Sequence, residues 1–108
     1  MPARSRAIGP AVSQRAGQNI RRERKLRDWT LTEFSFRMTE AGYRLSPATI
    51  RQVERGSTEG KGSRIRPLSV DELMGFSEVL NVPPMLLLQE DAWDDTGSDA
   101  GSGGSSLP

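Results

Sequence analysis

Helix start and stop signals follow one another along this chain, with no alternating apolar run between them that would pair as a strand. Thr30 is followed three residues later by Glu33, and Ser69 by Glu72. Each is the spacing of a capping box, in which a hydroxyl and a carboxylate satisfy free amides of a helix start. Ser46 before Pro47 is an N-cap before a first-turn proline, and Pro83–Pro84 suits another first turn. Gly42 and Gly56 stand where a left-handed residue closes a helix. A chain punctuated this way folds from short helices.

Periodicity fills in the segments. Ala16, Ile20 and the stem of Arg24 share one face of a helix expected over 14–27. Leu31, Phe34 and Met38 share the inner face of the next, and Val70, Leu73, Phe76 (or Ser77) and Leu80 that of the fourth. "PPMLLLQ", 83–89, gives a short and very apolar fifth helix. The expected architecture is a compact all-α bundle of five helices over residues 14–90. Residues 1–13 mix Pro, Gly and Arg without periodicity and read as a flexible basic arm. Residues 91–108 are acidic and Gly/Ser-rich and read as a disordered tail.

The third segment, "SPATIRQVERG" (46–56), carries the most chemistry. At about 100° per residue, Ile50 and Val53 fall on one side of the helix. Ala48, Arg51, Gln52 and Arg55 fall within an arc of roughly 100° on the other, with Thr49 at its margin. Arg and Gln are the side chains that contact guanine and adenine edges in pairs of hydrogen bonds in a major groove. An ordinary solvated helix face would look the same on the wheel.

Charge sharpens the choice. All fifteen Lys and Arg lie before residue 67. Residues 1–88 hold nine acids against them, a net of +6, and the remainder holds five acids and no base. A basic body suggests a polyanionic partner. Cys and His are absent, which removes disulfides, thiolate and imidazole catalysis and most zinc sites. An enzyme would be left with carboxylates alone, and the Asp-rich "EDAWDD" offers no pocket. No enzyme activity, cofactor, metal or small-molecule ligand is therefore expected. The longest apolar run, "MLLL", is far too short for a bilayer, and no secretory h-region follows Arg4 and Arg6. A cytoplasmic protein is the plain expectation.

Residues 17–88 resemble the Cro/lambda-repressor-like helix-turn-helix family, also called XRE. The resemblance lies in Ile20 and Arg24, in "WTLTEFS", in "SPATIRQVERG" and in "LSVDELMGFSEVLNV". The long connection "RMTEAGYRLSP" and the "LLL" ending resemble a branch of that family in actinobacteria and their phages. The resemblance implies sequence-specific binding of double-stranded DNA by a transcriptional regulator, a repressor, working in the cytoplasm and on the nucleoid when bound.

Roles follow residue by residue from that resemblance. Gln52 matches a base-contacting position, followed by Arg51; Pro47 and Ala48 match reading positions but could only touch a thymine methyl. Arg55, Thr49 and Ser46 are expected at phosphates. Leu31 replaces the family's usual phosphate-anchoring glutamine, which leaves Thr30 and Thr32 to that task. Lys61, Arg64 and Arg66 follow the third helix in a loop that often runs along the backbone, and Arg4 and Arg6 could trail into a minor groove. Arg24 and Glu54 match a structural ion pair, and Ser35 a small residue under the third helix. Trp29 and Phe34 match core positions, Phe36 lies off the core stripe, and Tyr43 alone among the aromatics invites a DNA contact.

The apolar end, Val82, Met85, Leu86, Leu87 and Leu88, is the candidate homodimer surface, because four consecutive apolar residues cannot all face one core; the other reading is that these residues simply cap the bundle. The alternative is a protein-interaction module, an antitoxin or adaptor with this fold and no base readout.

Overall fold

The computed structural model describes residues 6–56 and 66–90. Five helices follow in order: α1 (Pro10–Leu26), α2 (Leu31–Glu40), α3 (Pro47–Arg55), α4 (Val70–Leu80) and α5 (Pro84–Leu88). The described residues contain no strand; Ala7 and Ser69 form one isolated antiparallel bridge. No described helix is long and apolar enough to cross a membrane.

Local chemistry sets most boundaries as expected. Ser69 and Glu72 complete a capping box at α4. At α2 only half of one forms: the Glu33 amide donates to the Thr30 hydroxyl at 3.0 Å, while the Glu33 carboxylate turns to Arg37 at 2.9 Å. The charged i,i+4 guanidinium wins over a neutral backbone amide. Gly56 closes α3 at φ +75°, a conformation that costs any side chain with a Cβ.

Two expectations need correction. The first helix begins at Pro10, not Gln14: proline at N1 has its φ already set for a helix and lacks the amide that would go unpaired. The segment before it, as far as it is described, is not a free arm. The Ile8 amide donates to the Leu68 carbonyl at 2.7 Å, and the Val70 amide to that of Arg6 at 3.0 Å. The buried Ser13 hydroxyl closes the corner, donating to Ile8 O and accepting from the Leu68 amide, each at 2.9 Å. The second correction concerns α4, where Val70 stands 42% exposed and the buried side is carried by Leu73, Phe76, Ser77 and Leu80.

Ala16, Ile20, Phe34, Met38, Ile50 and Phe76 are fully buried at the centre. Phe34 bridges two aromatic neighbours, with ring centroids 5.7 Å from Trp29 and 5.5 Å from Phe76. Such tilted pairs add about 0.5–1.5 kcal/mol beyond the area they bury. Helix α1 is the spine, packing on both α3 and α5. On its α5 side, buried Asn19 donates to the carbonyls of Leu87 and Gln89 at 2.8 and 2.9 Å. Those two bonds satisfy carbonyls that a helix end leaves open.

Candidate nucleic-acid interface

Helix α3 is held from behind and left open in front. Ile50, Val53 and Glu54 are buried; Ala48, Arg51 and Arg55 are exposed, and Pro47, Thr49 and Gln52 are half-exposed. The two sides of the wheel are therefore the two sides of the folded helix. At the N-terminus Ser46 caps α3, accepting from the Thr49 amide at 3.1 Å and donating to the Thr49 hydroxyl at 2.9 Å. The Ser46 hydroxyl proton is thus engaged within the helix start.

Two contacts fix α3 against α1. Arg24 Nε donates to Glu54 Oε2 at 2.7 Å and Nη2 to Oε1 at 3.0 Å, a parallel two-bond pair. The remaining Nη1 donates to the Trp29 carbonyl at 2.8 Å, so the same guanidinium also holds the entrance to α2. The second contact is steric. Gly17 lies so close to α3 that a Cβ there would stand 2.1 Å from the Val53 carbonyl oxygen. Helix α2 is joined more lightly: Ser35 donates to the Leu45 carbonyl at 2.6 Å, which holds the connection against α2. A small side chain was expected at that position, and its hydroxyl adds a bond.

Several of the described basic residues make ion pairs within the fold. Arg15, Arg24, Arg27, Arg37 and Arg66 brace the fold, each paired with a carboxylate. Arg27, for example, also donates to the Leu80 carbonyl at 2.7 Å and so closes α4. Arg21, Lys25, Arg44, Arg51 and Arg55 remain exposed on the surface. Arg21 and Lys25 line a shallow groove with Gln18, Arg22 and Glu54, which puts them beside α3. No motif in the sequence marks this pair. Their spacing of four on an exposed helix side was the available signal.

Three assignments change. Arg66 was expected at phosphate, yet its guanidinium faces Glu72 with two bonds, 3.1 and 2.9 Å, and both side chains are only about one-fifth exposed. Burial works to raise the Glu72 pKa, but the Arg66 hydrogen bonds and charge, with those from Ser69, outweigh it and hold the carboxyl below its ordinary value. Arg66 is a brace for α4. Tyr43 is likewise structural: its ring covers Gly75, where a Cβ would stand 2.7 Å from the ring, and its hydroxyl donates to Glu78 at 2.9 Å. That bond raises the Tyr43 pKa. Leu87 is wholly buried and cannot belong to a dimer surface, whereas Met85 is 68% exposed and Leu86 lines a shallow hollow with Leu26, itself 70% exposed.

Lys61, Arg64 and Arg4 lie outside the described residues, as does the acidic segment 91–108. At the end of α3 the Arg66 amide donates to the Gly56 carbonyl at 3.0 Å. Arg6 is exposed. At the start of α2, Thr30 and Thr32 are both exposed, and the first-turn amides have no carbonyl four residues back to receive them. No group of three His, Cys, Asp or Glu side chains among the described residues is arranged to hold a metal ion. No protein-family model, curated protein or solved structure matches this chain.

Proposed function

We propose that this chain is a helix-turn-helix transcriptional regulator of Cro/lambda-repressor-like type that binds duplex DNA sequence-specifically, with α3 in the major groove. The observation that carries the reading is the two-sidedness of α3. Its rear is locked by Ile50, Val53 and the Arg24–Glu54 pair, and its front presents Ala48, Arg51, Gln52 and Arg55. A rigidly backed helix holds a guanidinium and a carboxamide at fixed positions, which base readout requires.

Gln52 and Arg51 read base edges, and Pro47 and Ala48 allow close approach and apolar contact with thymine methyl groups. Arg55, Thr49 and the α2 start with Thr30 and Thr32 hold phosphates, joined by the flanking cations Arg21 and Lys25. In this reading the protein acts as a repressor, in the cytoplasm and on the nucleoid. A second copy docks through Leu26, Met85 and Leu86, and a dimer of such modules binds paired half-sites.

The test is binding of the full chain to duplex DNA over a salt series. Affinity should fall steeply, with a log–log slope of about −0.9 for each phosphate neutralised. Binding that does not respond to salt, or no binding at low salt, would reject DNA as the ligand.

A further inference from the structure

Phe36 is 63% exposed on α2, while its neighbours Phe34 and Met38 are fully buried. Together with Ala41 and Val79 it forms the apolar part of a groove of about 570 Å³ between α2 and α4. That volume lies in the range, roughly 300–1,000 Å³, of pockets that hold ligand groups. The charged part of the groove is Glu33, Glu40 and Glu78, opposed by the single cation Arg37. Arg37 is already turned to Glu33 at 2.9 Å and seated 4.3 Å above the Trp29 ring. Glu78 is held in place by the Tyr43 hydroxyl, which donates to it at 2.9 Å. Helices α4 and α5 carry no Lys or Arg at all.

We infer that this groove docks a basic protein segment through one bulky apolar side chain, which packs on Phe36 and Val79 while flanking Lys or Arg residues meet Glu33, Glu40 and Glu78. The charge argues for this occupant. Three carboxylates around an apolar opening repel a polyanion or an anionic membrane and favour a cationic peptide. No residue of α3 lines the groove, so an occupant leaves the outward face of α3 uncovered. The protein can then hold a second macromolecule whether or not DNA is its other ligand. Docking here does not require DNA binding.

The experiment titrates the isotopically labelled full chain with three synthetic peptides. One alternates Lys and Leu, one has Ser for every Leu, and one has Glu for every Lys. The Lys–Leu peptide should shift the amide resonances of Phe36, Ala41 and Val79, and the other two should not. Phe36→Ser should weaken that binding by about tenfold or more, as expected for a central aromatic anchor. Phe36 is exposed enough that its loss leaves the core intact, and an unchanged amide spectrum elsewhere verifies this. The double variant Glu40→Gln, Glu78→Gln should weaken binding and reduce its salt sensitivity, while the carboxamide oxygen introduced at position 78 still accepts from Tyr43. Shifts confined to residues 91–108, or equal affinity in wild type and Phe36→Ser, would overturn the proposal.

Discussion

Arg24 and Glu54 join α1 to α3 through two parallel hydrogen bonds, 2.7 and 3.0 Å long, with side chains only 11% and 4% exposed. A pair this far from water is costly to break from one side, because the remaining charge keeps its burial and loses its partner. Glu54→Gln should therefore destabilise the fold strongly, toward about 3–5 kcal/mol, despite conserving shape. Urea unfolding of the two proteins checks this. An unchanged midpoint would mean that the pair does not hold α3 to the spine.

The Arg66–Glu72 pair predicts a pH dependence. Glu72 titrates below its ordinary value near 4.5 in the folded protein, so the unfolded chain binds its proton first as pH falls. Its contribution is fully present at neutral pH and above that ordinary value, and is lost as pH falls through the lowered folded value. The gap in urea midpoint between wild type and Glu72→Gln should accordingly narrow on acidification through this window. A gap independent of pH would remove the pair from the stability of the α4 start.

Leu86 and Leu87 are adjacent but do opposite work, since one lines a surface hollow and the other is wholly buried. Leu86→Glu should leave the melting temperature nearly unchanged and shift the sedimenting species from dimer to monomer. Leu87→Ala should lower stability by about 2–5 kcal/mol through the cavity it leaves. A wild-type chain that sediments as a monomer at high concentration would remove this surface from the account.

Much of the fold was legible because its determinants are local. Ser46–Pro47, Gly56 and the Ser69–Glu72 box mark helix ends within a few residues of themselves. The front and back of α3 follow from its period alone. What escaped depends on partners that only the fold brings together. Pro10 reads as loop composition until residues 6–8 are seen to pair with 68–70. Nothing near Gly17 or Gly75 says that a carbonyl or an aromatic ring will press on them. Arg66 and Tyr43 carry suitable chemistry for DNA, but each is claimed by a carboxylate that the fold brings within reach. The phase of α5 was out of reach for another reason. Five residues span too few turns for a wheel to distinguish Leu86 from Leu87.

Site selection from a random duplex library measures directly whether the outward face of α3 reads bases. The full chain should enrich one defined motif. Gln52→Ala should relax the choice at one or two adjacent positions, at a cost of about 1–3 kcal/mol against the preferred base, and leave the salt slope unchanged. Arg55→Ala should weaken every sequence alike and reduce that slope by about one contact. Failure to enrich any motif, or the same motif from wild type, Gln52→Ala and Arg51→Ala, would contradict the account.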